Sequence, residues 1–354
     1  MRGNQWIGAG LGVLVLLIFL LLPPFEPLTP LGMKVLGVFF FTVLWWVFVD
    51  IGFSSYLCVA LFALLGIMAP NEVFAAALGN WAIMFLIGCF GLAEAVRLSG
   101  FTQRFALWFL TRPFTRGRPW LMVVLFLSGV LLMGAIMSPT VTIIIFMSVL
   151  VPMLEGMGYK KGDRFPAMLI TGCGWSALAA FVMTPIGHVS NVIFIEWIRR
   201  DAGYNFSFPG WMVVGVPMGV LIFVLLLVLF RYVVRPDMSR FSAVADEYVR
   251  REAGSIGPMK TEEKLTLWVF AGVVLWWMLP GLLGDRLPAV TAYLEKMGFG
   301  IPPVVGAILL YLIRVKDRPL LEFRQWMAGV EWGSIALVAA IFASWDISMN
   351  LGMA

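Results

Sequence analysis

The stretch GAIMSPTVT, residues 134–142, lies near the middle of a 36-residue run without charged side chains, 119–154. A straight helix of that length would measure about 54 Å, whereas the hydrocarbon core of a bilayer is only ~30 Å thick. Serine is a favoured N-cap and proline a favoured first helical residue, so Ser138-Pro139 predicts the start of a second helix. We therefore predict a helical hairpin over 119–154, with one long proline-kinked helix as the alternative.

A second interruption, TPIGHVSN at 184–191, divides the charge-free run 165–195. Pro185 and Gly187 both oppose a continuous helix. This pattern predicts a broken helix whose unwound middle meets the hairpin tip. Discontinuous membrane helices of this kind are typical of the binding sites of secondary transporters.

The composition is that of a membrane protein, with 61% apolar and only 13% charged residues. Soluble domains are closer to half apolar and a quarter charged. A water-soluble enzyme, a nucleic-acid-binding protein and a disordered scaffold are therefore excluded. No paired intramembrane acids and no HExxH or Gly-x-Ser-x-Gly motif point to catalysis, so we predict neither an enzyme nor a cofactor.

The positive charges predict the topology. If 119–154 enters and leaves from one side, 20 of the 25 Lys and Arg residues lie on the side of the N-terminus. Cytoplasmic loops carry the excess of positive charge, which favours a re-entrant hairpin and a cytoplasmic N-terminus. We predict a multi-pass protein of the bacterial plasma membrane.

A weak internal repeat suggests the domain organisation. Lys34 is followed eleven residues later by Trp45-Trp46, and Lys264 is followed twelve residues later by Trp276-Trp277. The segment 81–100 is also similar to 332–352. The predicted parts are an N-terminal transmembrane helix (1–30), a first repeat (31–234) with the hairpin (119–154), a broken helix (165–199) and a closing helix (210–234), a cytoplasmic connector (235–261), and a partial second repeat (262–354). We expect the chain to be truncated at its C-terminus.

This order of elements resembles the divalent anion:sodium symporter family. The family's usual hairpin tip, Ser-Asn-Thr, and its usual break, Ile-Gly-Thr-Pro-Pro-Asn, are matched here at Ser138, Thr140, Thr142, Ile186, Gly187 and Asn191. The resemblance implies an all-α, inverted-repeat transporter of the elevator type with an incomplete second repeat. It also implies a homodimer that carries small di- or tri-anions, such as C4-dicarboxylates, citrate or sulfate, in symport with sodium.

The departures from the family pattern concern the coupling ion. Pro139 replaces an Asn that helps to hold sodium and substrate in the family, and His188, the only histidine, replaces a Thr. An imidazole ordinarily titrates near pH ~6.5. We therefore expect weaker sodium dependence than is usual in the family, with sodium or a proton as the coupling ion.

The predicted binding residues are those at the two interruptions: Ser138, Pro139, Thr140, Thr142, Thr184, Pro185, Gly187, His188, Ser190 and Asn191, with sodium at Ser138 and Gly187. Unpaired N–H groups at a helix N-terminus attract anions. Structural alternatives stay open: Ser138 as a simple cap, Thr142 bonded to its own helix, Gly187 as a turn residue and His188 as a packing residue.

The predicted partners are a small anion, the lipid bilayer and a second copy of the chain, with no nucleic acid. A competing hypothesis is a truncated membrane fragment that lacks the second half of the site and does not transport.

Overall fold

The computed structural model describes residues 3–26, 28–110, 118–160, 162–238, 257–283 and 286–352. In chain order its helices are α1 (Gly3–Leu21), α2 (Pro30–Phe48), α3 (Ile51–Leu64), α4 (Pro70–Leu78), α5 (Trp81–Ser99), α6 (Phe101–Leu110), α7 (Pro119–Gly134), α8 (Pro139–Gly156), α9 (Arg164–Ala180), α10 (Val189–Asp201), α11 (Phe208–Leu229), α12 (Thr261–Leu283), α13 (Pro288–Met297), α14 (Ile301–Leu312), α15 (Phe323–Gly329) and α16 (Trp332–Asn350). A π-helical turn, Phe230–Val234, continues α11, and a short antiparallel pair, β1 (Arg314–Val315) and β2 (Arg318–Pro319), follows α14.

Several of these helices suit a membrane. Among the described residues, α2, α5, α8, α11 with its π-helical turn, α12 and α16 are each long and apolar enough to cross one. The pair α13 and α14, bent by 80°, passes the same test as one interrupted span. The prediction of an all-α, multi-pass membrane protein is therefore confirmed.

The chain forms two compact units. The first combines 1–87 with 330–354, and in it α16 packs against α3 and α4. The Trp45-Trp46 pair connects α2 to α1 and α3 by hydrogen bonds. Trp45 Nε1 donates to the Ala9 carbonyl of α1 (3.2 Å), and Trp46 Nε1 donates to Ser55 Oγ of α3 (2.9 Å). Paired tryptophans therefore serve helix packing here.

The second unit, 88–329, contains both predicted interruptions. Helices α7 and α8 are separate, and Phe126 in α7 packs edge-to-face on Phe146 in α8 with their rings 5.4 Å apart. In a continuous helix these residues would lie about 30 Å apart. The chain therefore folds back at 135–138, and the alternative of one proline-kinked helix is wrong.

The predicted domain boundaries do not coincide with the boundaries of these two compact units. They follow an internal sequence repeat, whereas the units follow packing and divide the chain after Ile87 and Gly329. The repeat, and the entry and exit of the hairpin on one side of a membrane, stay predictions.

An ion pair anchors the start of α12. Glu263, in the first turn of α12, is only 2% exposed and accepts from Arg104 Nε of α6 at 2.6 Å. Arg104 also donates to the Gly257 carbonyl at 2.6 Å. A buried carboxylate such as that of Glu263 requires a charged partner, which Arg104 provides. Because Arg104 also bonds to Gly257, the described end of the predicted connector is held against α6.

Candidate functional site

The hairpin tip and the helix break are in direct contact. The Thr184 hydroxyl, at the start of the break, donates a hydrogen bond to the Ala135 carbonyl in the tip. Close packing of α7 on α9 permits this approach, because a Cβ on Gly134 would lie 2.9 Å from the Ala180 Cβ. The two predicted interruptions therefore form one polar region within the second unit.

Side chains satisfy the backbone carbonyls that the break exposes. Asn191 Nδ2 donates to the Phe181 carbonyl (2.5 Å) and to the Thr184 carbonyl (2.9 Å), while Trp211 Nε1 of α11 donates to the Val182 carbonyl (2.8 Å). Non-helical backbone at membrane depth requires such partners. The Asn191 Nδ2 donors are therefore used in hydrogen bonds that stabilise the fold, and its Oδ1 is the side-chain atom left for a ligand.

Gly187 is required by backbone packing. A Cβ at this position would lie 2.5 Å from the Phe181 carbonyl oxygen, closer than real Cβ atoms approach. The structure therefore favours the turn-residue interpretation over the idea that Gly187 chiefly lets its own carbonyl approach a cation. Its N–H donates to the Thr184 carbonyl at 3.1 Å, which closes the turn.

The tip carries hydroxyls that take no part in capping. Helix α8 begins at Pro139 with Ser138 as its N-cap, as predicted, but the Ser138 side chain makes no capping hydrogen bond. Ser138 is half-buried and Thr140 is exposed, whereas Pro139 and Pro185 are buried. The simple-cap interpretation of Ser138 therefore fails for its side chain, and both hydroxyls are available to a bound group.

Thr142 is the most unusual polar residue of the region. Its side chain is 0% exposed, and its hydroxyl has no hydrogen-bond partner among the described residues. The expected alternative, a bond from this hydroxyl to the helix's own carbonyl, is absent there, although the Thr142 N–H does bond to the Ser138 carbonyl at 3.0 Å. A buried polar group without a partner costs about 1–3 kcal/mol.

Ser176 shares this property and was missed from the sequence. It lies in α9 one turn before Ala180, is 0% exposed, and its hydroxyl also lacks a partner among the described residues. Since Ala180 packs at Gly134, Ser176 belongs to the helix segment that approaches the tip. The only sequence signal is one serine among small residues, TGCGWSALAA at 171–180.

His188 is the N-cap of α10. Its Nδ1 accepts from the Ser190 N–H (3.2 Å) and lies 2.8 Å from Ser190 Oγ, while its ring packs edge-on against Phe181. Because Nδ1 accepts from a backbone N–H, the ring proton of the neutral imidazole lies on Nε2. Both His188 and Ser190 are exposed, so this cap faces outward.

Permanent charge lies at the far end of α10. Glu196 is fully buried and pairs with Arg199 (2.7 Å) and Arg200 (2.6 Å). Within the described chain no three His, Cys, Asp or Glu residues cluster as a metal site. The tip and the break therefore offer hydroxyls, carbonyls and helix N-termini rather than charged side chains.

A family model described as "Citrate transporter" matches residues 39–354. The chain belongs to the citrate transporter family. This is a family of membrane transporters, which confirms the predicted anion-permease resemblance and the prediction that the chain is not an enzyme. The ten site residues stay predictions.

Individual relatives agree with this family. A sodium-dependent dicarboxylate transporter of Staphylococcus saprophyticus is 26% identical over 326 residues, which cover 89% of this chain and 61% of the relative. A protein of the same name from Staphylococcus aureus strain USA300 is 24% identical over 350 residues, covering 94% of this chain and 65% of the relative. The chain thus spans less than two thirds of the length of these curated relatives.

Proposed function

We propose that this chain acts in sodium-coupled secondary transport of small di- or tri-anions, of the C4-dicarboxylate, citrate or sulfate class. The family match and the names of the relatives support the class of function. The structural observation that carries the proposal is the buried hydroxyl of Thr142 in the first turn of α8, which has no hydrogen-bond partner in the described part of the chain. A bound anion or ion would supply the partner that this group lacks.

Anion binding at this site follows from its dipoles. The N-termini of α8 and α10 each carry a partial charge of roughly +0.5. At α10 the Ser190 and Asn191 N–H groups are already bonded to His188, so this end acts through its dipole. Thr184 links the two ends, since its hydroxyl bonds to the tip and its carbonyl accepts from Asn191 in the first turn of α10. Two such ends suit a dicarboxylate, and the lack of a fixed cation lets the anion leave again.

We propose that sodium binds beside the anion through oxygens of Ser138 and the Gly187 carbonyl. Pro139 contributes neither a side-chain oxygen nor an N–H group, so the tip has one ligand fewer than a Ser-Asn-Thr tip. Pro139→Asn should therefore strengthen the sodium dependence of uptake, measured as a lower sodium concentration at half-maximal rate. An unchanged sodium dependence would place the ion elsewhere.

The remaining features of the proposal concern the assembly. We propose an N-terminus in the cytoplasm of a bacterial cell, a hairpin that re-enters the membrane, and a homodimer in which the hairpin and the broken helix move as an elevator. The positive charges flanking 119–154 support this orientation. Cysteine labelling at positions 118 and 160 from one face only is the expected result, and labelling from opposite faces would contradict the hairpin topology.

Uptake of radiolabelled succinate and citrate into proteoliposomes tests the function. We expect a sodium gradient to drive uptake. A choline gradient of the same size should not drive it. Thr140→Val removes a hydroxyl at the N-terminus of α8 and should lower uptake about tenfold, because a hydrogen bond to a charged group contributes roughly 1.5–3 kcal/mol.

A matched control exists in the same helix. The Ser148 hydroxyl is exposed and bonds to the Ile145 carbonyl at 2.7 Å, so Ser148→Ala should leave uptake unchanged. Equal uptake by the Thr140 and Ser148 variants would contradict the proposed site. Equal uptake in sodium and choline would contradict sodium coupling but leave the anion site intact.

A further inference from the structure

A cavity lined by arginines and apolar side chains lies away from the hairpin tip, where α7 begins and α11 ends. Its volume is about 520 Å³, and its lining consists of Arg118, Pro119, Trp120, Phe230, Arg231, Arg235, Pro236 and Met238. Its floor is well defined, because Phe230 is buried and packs where Gly172 of α9 leaves room for its ring. The cavity is therefore a feature of the packed second unit.

The charge of this cavity is positive. Three arginines, at 118, 231 and 235, contribute to its lining, and no acidic residue of the described chain does. None of the three forms a salt bridge with a described residue, and Arg231 instead lies over the Trp120 ring, 5.3 Å from its centroid. Arginines favour planar, bidentate contact with phosphate oxygens.

The backbone at this cavity is strained. Arg235 has φ = +44°, a left-handed conformation that usually favours glycine, and its N–H ends the π-helical turn by bonding to the Phe230 carbonyl at 3.1 Å. Both strained residues and π-turns concentrate at functional sites. An arginine therefore occupies a position where glycine would be less costly.

The surface beside the cavity is apolar and exposed. Only 28% of an apolar 18-residue stretch within Phe208–Val234 is buried. Leu229, Tyr232 and Val233, close in sequence to the lining residues Phe230 and Arg231, are exposed large side chains. Such a surface suits acyl chains, while an arginine and tryptophan pair is typical of the headgroup level of a membrane. Basic pockets between helix ends at this level hold anionic lipid headgroups.

We propose that this cavity binds the phosphate group of an anionic phospholipid, whose acyl chains lie along the exposed face of α11. Arg118 and Arg235 contact the phosphate oxygens, and Trp120 holds Arg231 in position for the same group. The lipid would thereby link the start of α7, the first arm of the hairpin, to the end of α11.

Lipid binding is measured by native mass spectrometry of the purified chain with phosphatidylglycerol and with phosphatidylcholine. We expect the protein to bind phosphatidylglycerol at least tenfold more tightly than phosphatidylcholine. Arg235→Gly removes one guanidinium and also relieves the left-handed strain, so the variant should fold at least as well as the parent. It should bind phosphatidylglycerol about fivefold more weakly, given roughly 1 kcal/mol per basic residue near a membrane.

The matched control is Lys316→Gly. Lys316 also has a left-handed backbone, with φ = +50°, and is exposed in the turn between β1 and β2. This control should retain full binding. Equal losses in the two variants, or no preference for phosphatidylglycerol in the parent, would overturn the proposal.

A double variant and a soluble competitor complete the test. Arg118→Gln with Arg231→Gln should weaken phosphatidylglycerol binding more than Arg235→Gly does, while Arg314→Gln with Arg318→Gln should not weaken it. Glycerol phosphate at millimolar concentration should leave the bound lipid in place. Its displacement by glycerol phosphate would assign the cavity to soluble phosphate compounds and overturn the lipid assignment.

Discussion

The helix break and the hairpin tip differ in whether their polar groups have hydrogen-bond partners within the described chain. In the break, the carbonyls of Phe181, Val182 and Thr184 accept hydrogen bonds from side chains of Asn191 and Trp211. In the tip and the first turn of α8, the Ser138 hydroxyl does not cap the helix and the Thr142 hydroxyl lacks a partner among the described residues.

This difference distinguishes polar groups that stabilise the fold from polar groups that are suited to binding a ligand. Groups that already have partners inside the protein keep the interrupted backbone stable in an apolar environment. Groups kept without partners cost stability, and such groups concentrate at binding sites. We therefore expect changes in the break to affect mainly stability and changes at the tip to affect mainly binding.

The largest effect on stability should come from Asn191→Leu. This substitution leaves the Phe181 and Thr184 carbonyls without their donor and should cost about 3 kcal/mol. A much lower thermal unfolding temperature in detergent is the expected result. Asn350→Leu, the same change at the exposed end of α16, should have little effect. Similar unfolding temperatures for the two variants would remove the supporting role of Asn191.

The next effect should come from Gly187→Ala. The added Cβ meets backbone at the Phe181 carbonyl, so the turn must shift at a cost of roughly 1–3 kcal/mol. The control is Gly174→Ala in α9, where a Cβ meets nothing within 4 Å and alanine favours the helix. We expect a lower unfolding temperature for the first variant and an equal or higher one for the second, and the reverse order would contradict the packing argument.

A smaller effect on stability is expected at His188, which caps α10 but has an exposed side chain. His188→Ala removes the cap of α10 and should cost about 1 kcal/mol, whereas His188→Asn keeps a favoured cap. Thermal unfolding temperatures of the two variants and the parent in detergent measure this effect.

The His188→Asn variant is the matched control. It should keep the unfolding temperature of the parent, because asparagine also accepts a hydrogen bond from a helix N-terminus. Equal unfolding temperatures for His188→Ala and His188→Asn would contradict the capping role of His188.

Much of this architecture could be predicted from the sequence. A charge-free run too long for one span, with Ser138-Pro139 at its middle, predicts two helices, and α8 begins at Pro139. Pro185 and Gly187 likewise predict the break between α9 and α10. These signals are local, because they depend on helix length, proline geometry and capping.

The use of each polar group could not be predicted in this way. Asn191 and Thr142 were both predicted to bind a ligand, with a bond to its own helix as the alternative for Thr142. Only the fold determines that the Asn191 amide bonds to carbonyls and that the Thr142 hydroxyl has no partner among the described residues. Trp211 and Ser176 were missed because their roles depend on helices that come together only in the fold. Partner assignments of this kind are tertiary, and sequence spacing carries little information about them.

A comparison of Thr142→Val with Thr42→Val tests whether the polar groups of the tip bind a ligand. Both threonines are buried in apolar helices, but the Thr42 hydroxyl donates to the Val38 carbonyl at 2.7 Å and is therefore satisfied. The measurement is the rise in unfolding temperature that citrate or succinate causes in the presence of sodium.

We expect Thr142→Val to keep or raise the unfolding temperature without ligand, since it replaces a hydroxyl that has no partner among the described residues by a methyl group. The same variant should lose most of the rise caused by the anion, while Thr42→Val keeps all of it. A full ligand response in Thr142→Val, together with a lower unfolding temperature without ligand, would contradict a ligand-binding role, because the hydroxyl would then stabilise the fold.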